Sequence, residues 1–172
     1  MGCIVALDVG TKTIGIATAQ EGGGIPSPHS TLSRQGVKKD VAKLVHILGE
    51  VKGTALVVGL PLELDDTEGR SARLARQIGD ALREATDLPL HYQDERYSTV
   101  VATERLQAAG YDGHQRKGII DQAAAAVILE DYLARAGALG VARQAEAQVG
   151  ASGLLWHQRP GLGPCTHRRL VP

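Results

Sequence analysis

Cys3-Ile4-Val5-Ala6-Leu7-Asp8-Val9-Gly10-Thr11-Lys12-Thr13-Ile14-Gly15-Ile16-Ala17-Thr18-Ala19 is the stretch whose reading decides the fold. Cys3 to Leu7 is an unbroken apolar run. A strand with one wet face would alternate, so this run predicts a strand buried on both faces. Gly10-Thr11-Lys12 reads as a turn. Thr13 to Ala19, β-branched and small, predicts a second strand, and the short connection makes the pair an antiparallel hairpin. Glu21-Gly22-Gly23-Gly24 is a second turn, and residues 25–33 supply a third strand whose start Pro26 and Pro28 make irregular.

Beyond this meander the periodicity changes. Val41, Leu44, Val45 and Leu48 repeat at helical spacing, which predicts a helix over 37–50. Ala55-Leu56-Val57-Val58 is a buried strand stopped by Gly59 and Pro61. Residues 62–69 read as an acidic loop. A helix over 70–84 turns Ala75, Ile78 and Leu82 inward. Pro89 to Gln93 is a fifth strand. A further helix starts at Ser98 or Thr99, either of which can cap it, and runs to about Ala108. The last predicted helix covers 121–135, with Ala125, Ile128, Leu129 and Tyr132 on its apolar face. The order β-β-β-α-β-α-β-α-α predicts an α/β fold: a mixed five-stranded sheet with helices packed on both faces.

The chain has 172 residues, which suits one domain with a real core. It has no Phe, so aliphatic side chains must build that core. Lys and Arg balance Asp and Glu at 19 each, unlike a protein that coats polyanions indiscriminately. The balance is uneven: residues 1–135 hold 15 basic and 18 acidic side chains, and residues 136–172 hold 4 and 1. Any nucleic-acid contact must therefore be local. The two cysteines, Cys3 and Cys165, form no disulfide framework, and Cys3 reads as a buried thiol. No signal peptide and no apolar span of about 20 residues is seen, so a soluble cytoplasmic protein with no membrane contact is expected. Met1-Gly2 resembles a myristoylation start, but Ala6 stands where that motif wants Ser or Thr. After Arg135, Ala, Gly and Gln dominate without periodicity. The expected organisation is a domain over 1–135 and a flexible or weakly ordered tail over 136–172, with a short helix over 138–149 as an alternative.

Acidic residues stand where apolar segments end: Asp8 after Leu7, Asp94-Glu95 after the fifth strand, and Asp121 after Ile119-Ile120. Ligands of open α/β sheets gather at such ends. Each acid alone has a plain reading: a turn cap for Asp8, a solvated turn for Asp94-Glu95-Arg96, a dipole-matched helix start for Asp121. Together they suggest hard oxygen ligands for Mg²⁺ or Mn²⁺. Two such ions, about 3.5–4 Å apart, can drive phosphodiester cleavage. Gly10 most simply supplies a positive φ in the turn, and would also let the backbone or Lys12 approach a phosphate. Arg70, Arg73, Arg76 and Arg83 form a basic stripe that reads as a solvated face before it reads as a nucleic-acid track. Lys38-Lys39 and Arg116-Lys117 read the same way, although the latter pair lies near Asp121. His157, Cys165 and His167 lack a metal-site spacing.

Four motifs in order resemble those of the bacterial RuvX/YqgF family: Leu7-Asp8-Val9-Gly10-Thr11-Lys12-Thr13-Ile14-Gly15-Ile16-Ala17, Val57-Val58-Gly59-Leu60-Pro61-Leu62, Asp94-Glu95-Arg96-Tyr97-Ser98-Thr99 and Lys117-Gly118-Ile119-Ile120-Asp121-Gln122-Ala123-Ala124-Ala125. Ile128 to Leu133 closes the match. The resemblance covers about 3–135 and implies an RNase H-like fold. It also implies a metal-dependent endonuclease, either maturing the 5′ end of pre-16S ribosomal RNA or resolving Holliday junctions in DNA. It makes Asp8, Glu95 and Asp121 the catalytic acids and metal ligands, with Asp94 less certain. Gly10, Lys12, Arg96 and Lys117 become substrate contacts. The implied partners are pre-16S rRNA or branched DNA, and ribosomal particles. A junction resolvase needs two sites and so a homodimer, whereas an RNA processor can be a monomer. Asp66, where relatives carry Gly, and Thr13, where they often carry a basic residue, depart from the pattern. Both are expected to touch none of the three acids. The tail past 135 has no counterpart in the pattern.

Two other classes fit parts of the sequence. A sugar-kinase-like phosphotransferase also uses an Asp and a Gly-Thr after its first strand, but needs two such lobes; ATP affinity would reveal it. A non-catalytic nucleic-acid-binding module would keep the fold without turnover.

Overall fold

The computed structural model describes residues 2–62, 68–95, 98–111 and 119–137. Its strands are β1 (Cys3–Val9), β2 (Thr13–Gln20), β3 (Ser27–Ser33), β4 (Gly53–Leu60) and β5 (Leu90–Asp94). Its helices are α1 (Val37–Glu50), α2 (Arg70–Thr86), α3 (Ser98–Ala108) and α4 over 119–137. The strands form one five-stranded sheet in the order β3-β2-β1-β4-β5. β3, β2 and β1 are antiparallel; β1, β4 and β5 are parallel. The described core belongs to the unit Met1–Arg135.

β1 is central, which is why its run has no polar alternation: Val5, Ala6 and Leu7 are each at most 1 % exposed. The two faces of the sheet differ in side-chain size. Val5, Leu7, Val9, Ile14, Ile16, Leu56, Val58 and Leu60 face α1 and α2, and meet Leu44, Leu48, Ala75, Ile78 and Leu82 there. This is the large aliphatic core that a chain without Phe requires. The opposite face carries Ala6, Ala17, Ala19 and Val57, which pack on Ala125, Ala126, Ile128 and Leu129 of α4. α3 lies against α4 through Ala102, Ala124 and Val127, and Arg105 donates to Glu130 at 2.6 Å across the same pair.

Glycine lets α4 come this close. A Cβ at Gly15 of β2 would collide with the carbonyl group of Asp121 and lie 2.7 Å from the Gln122 nitrogen. A Cβ at Gly59 of β4 would lie 2.6 Å from Ile128 Cδ1 and collide with the Glu95 carboxylate. At Gly15 the helix therefore rests on bare backbone.

Several elements differ from the sequence reading. β1 runs through Asp8 to Val9, so Asp8 is inside the strand and pairs with Gly15. β4 runs through Gly59 to Leu60, because a glycine there clears space for α4 and keeps its ladder pairing with Gln93. α4 begins by residue 119, so Ile119 and Ile120 are helical and Asp121 is the third described helical residue. Gly10 is not among the positive-φ residues. Its small size is used instead: a Cβ there would lie 3.0 Å from the Thr13 carbonyl oxygen, which accepts the Gly10 N–H at 2.9 Å and closes the turn. Cys3 is half-buried rather than fully buried. Among the described residues, no helix is long and apolar enough to cross a membrane. Beyond residue 137 the expected tail, its alternative helix over 138–149, and His157, Cys165 and His167 lie outside the described residues.

The prediction is that Gly15→Ala costs about 1–3 kcal/mol of stability, the usual penalty of overpacking. Denaturant midpoints of the two proteins measure it; an unchanged midpoint would mean that α4 is not seated on the β2 backbone.

Candidate active site

The acids of interest share the α4 side of the sheet. Side chains alternate along a strand, so Asp8 projects with Ala6 towards α4, while Leu7 and Val9 project towards α1 and α2. Its β2 partner Gly15 has no side chain, and the backbone of α4 at Asp121 takes that space. One residue beyond the Leu7–Val58 pairing, Asp8 and Gly59 stand on neighbouring strands. β5 decides between Asp94 and Glu95. Asp94 pairs with Leu60, whose side chain lies in the α1/α2 core. Gln93 pairs with Gly59, and the Glu95 N–H continues the ladder to the Leu60 carbonyl at 3.4 Å. Glu95 therefore turns to the α4 side, its carboxylate over Gly59.

Asp121 arrives from α4. Thr13 Oγ1 donates to Asp121 Oδ2 at 2.5 Å, across 108 positions of sequence. Asp8 and Asp121 act on each other electrostatically. Burial first, and the Asp121 charge second, push the Asp8 carboxyl up to about 7. The structure thus brings Asp8 and Asp121 together and sets Glu95 on the same face. Among the described residues, no three His, Cys, Asp or Glu side chains form a cluster close enough to hold one ion.

The turn that carries Gly10 and Lys12 is held from behind. The Arg34 N–H donates to the Lys12 carbonyl at 2.9 Å, and Arg34 Nη1 donates to the Gly10 carbonyl at 3.1 Å. Arg34 Nε in turn meets Asp40 Oδ2 at 3.2 Å, and the Gln35 N–H donates to Asp40 Oδ1 at 2.7 Å. Asp40 is 0 % exposed in the first turn of α1. The sequence reading missed this pair. The available signal was an Asp inside the apolar spacing of a helix, six residues after an Arg. Lys12 itself is exposed.

Other expectations resolve differently. Thr13 contacts Asp121, so it is no neutral departure from the family pattern. The stripe on α2 is partly consumed locally: Arg76 pairs with Glu68 and lies 4.7 Å over the Tyr92 ring, and Arg83 approaches Asp80 at 3.7 Å. Tyr92 donates to the same Asp80 at 2.9 Å. Asp66, Arg96, Arg116 and Lys117 lie outside the described residues.

A three-stranded antiparallel meander continued by parallel β1-β4-β5 crossovers defines an RNase H-like fold. A solved structure, Thermus thermophilus RuvC, shares this fold at a TM-score of 0.50, with 15% identity, over 78% of this chain and 96% of that one. The profile of the RuvX family, described as Holliday junction resolvase, matches residues 2–135, and the chain belongs to this family. A protein of Lachnospira eligens named "Putative pre-16S rRNA nuclease" is 38% identical over 133 residues, covering 76% of this chain and 95% of that one. A Frankia casuarinae protein of the same name is 35% identical over 98% of this chain and 85% of its own length. That alignment runs past residue 135, whereas the family match ends there.

Two outcomes follow from these contacts. The first concerns pH in the absence of divalent metal. The folded state holds a proton on Asp8 up to about pH 7, whereas the unfolded chain releases it near 3.8. Asp8 therefore contributes full stability below about pH 4, loses it as pH rises, and has lost it once pH passes about 7. The stability difference between wild type and Asp8→Asn, measured by urea unfolding in EDTA, should change over this window; a difference constant with pH would contradict it. The second concerns the buried pair. Arg34→Met leaves Asp40 without its cation and should cost about 3–5 kcal/mol in the same assay.

Proposed function

We propose that this chain is a divalent-metal-dependent endonuclease that matures the 5′ end of pre-16S ribosomal RNA. The observation that carries the proposal is the Asp8–Asp121 pair: two carboxylates from distant elements held together on the α4 side at an electrostatic cost. Relatives named for pre-16S rRNA support the substrate.

The site fits a hard divalent cation, Mg²⁺ or Mn²⁺. Its donors are carboxylate oxygens, and a cation would offset the repulsion between Asp8 and Asp121. Asp8 and Asp121 would hold it; Glu95 stands on the same face at the end of β5 and would have to move closer to join them. Bound there, the metal would polarise a phosphodiester and lower the pKa of an attacking water. The chain's own residues do the rest. Gly10 keeps the turn narrow, and Arg34 fixes its backbone so that Lys12 meets the substrate phosphate from a set position. Arg96 and Lys117 add phosphate contacts. Water attacks the phosphorus in line with the departing 3′-oxygen, leaving a 5′-phosphate and a 3′-hydroxyl. Asp94, turned to the other face, takes no part. Such a substrate places the protein in the cytoplasm, and one site per chain suffices for it to act as a monomer.

The family description favours a second reading, cleavage of a four-way DNA junction. Both are tested in one assay: Mg²⁺ or Mn²⁺ with a pre-16S fragment beside a four-way junction. We expect cleavage of the RNA, falling as salt rises because phosphate contacts dominate binding. Asp8→Asn, Glu95→Gln and Asp121→Asn should each lose at least about 100-fold in rate, on the order of 3 kcal/mol of barrier. Asp94→Asn should stay near wild type. Preferential cutting of the junction, with a dimer in sedimentation, would move the assignment to the second reading. Undiminished cleavage in any of the first three mutants would remove that residue from the site.

A further inference from the structure

Thr13 stands at the start of β2 with its side chain on the same face as Gly15, since Ile14 between them is in the α1/α2 core. Its carbonyl accepts the Gly10 N–H and closes the turn that carries Lys12. Its hydroxyl reaches across to Asp121 Oδ2 at 2.5 Å. A single residue thus joins the phosphate-facing turn to an acid on α4.

The hydroxyl is not needed by its own strand. Valine has nearly the same shape and is at least as good a strand former. The difference is the O–H, and its partner is 108 positions away. A hydroxyl donating to an ionised carboxylate makes a charge-assisted bond, stronger than a neutral one. Threonine is stiff at χ1, so the donor is held by the strand. Asp121, an unbranched side chain on α4, would otherwise sample several rotamers. With Oδ2 committed to Thr13, the carboxylate has one orientation relative to Asp8.

We infer that Thr13 is a positioning residue: its hydroxyl sets the Asp121 carboxylate in the orientation that lets it share a divalent cation with Asp8. This rests on the metal-site reading above. Groups that orient metal ligands typically alter metal affinity by about 10–100-fold when removed.

The test is calorimetric titration of the full chain with Mn²⁺, without substrate. Wild type is compared with Thr13→Val, Thr13→Ser, Thr13→Ala and Asp121→Asn. Thr13→Val and Thr13→Ala should bind Mn²⁺ at least about 10-fold more weakly. Thr13→Ser, which restores the hydroxyl, should return to within a few-fold of wild type. Thermal unfolding in EDTA should not rank the variants in this order. If Thr13→Val does not fold, Ser against Ala carries the comparison, because those differ by the hydroxyl alone. Weakened binding in Asp121→Asn with wild-type binding in Thr13→Val and Thr13→Ala would overturn the inference and leave the site standing. Wild-type binding in Asp121→Asn would overturn the site reading itself.

Discussion

The close seating of α4 on the small-residue face of the sheet is the constraint on which the rest depends. Gly15, Ala17, Ala19, Ala6 and Gly59 present little more than backbone to the helix. Asp121 travels with that helix, so its distance from Asp8 is set by how far α4 can descend. Close packing makes this distance stiff, since protein interiors tolerate little change in volume. The other face, filled by Leu, Ile and Val between the sheet, α1 and α2, supplies most of the apolar burial. One face holds the domain together and the other is kept thin enough to assemble a site.

That assembly runs against electrostatics. Burial, and after it the charge of Asp121, raises the Asp8 carboxyl to about 7. The arrangement persists because neighbours hold it: Thr13 engages Asp121, and Arg34, itself tied to buried Asp40, pins the backbone of the Gly10–Lys12 turn. Such preorganisation is what a nuclease site requires, because the geometry must exist before the substrate arrives. The cost at Asp8 is also what favours a cation there.

Much of the fold was legible because its signals are local. The bounds of α1 follow from the 3.6-residue spacing of Val41, Leu44, Val45 and Leu48. The inward face of α2 follows in the same way from Ala75, Ile78 and Leu82. Strand ends were less legible, since Gly59 reads as a stop in sequence, whereas in the sheet it is the gap that α4 fills. Asp40 and Thr13 were missed as participants for a related reason. The partner of Thr13 is reached only by folding, that of Asp40 lies six residues upstream, and a charged residue on a helix or a threonine on a strand has an ordinary local meaning.

The sequence by itself determined the class of the protein: the order of strands and helices, the central apolar β1, and the motifs that carry Asp8, Glu95 and Asp121. These depend on side-chain periodicity and residue type, which the chain displays directly. Only the tertiary structure showed to which face of the sheet each of two adjacent acids turns. The alternation of side chains about the β4–β5 register sends Asp94 one way and Glu95 the other. It also decided that Asp8 lies within β1, opposite a glycine, and that a threonine holds Asp121. Register depends on how separate strands pair, and the seating of α4 on contacts such as Thr13–Asp121 across 108 positions; no local pattern encodes either.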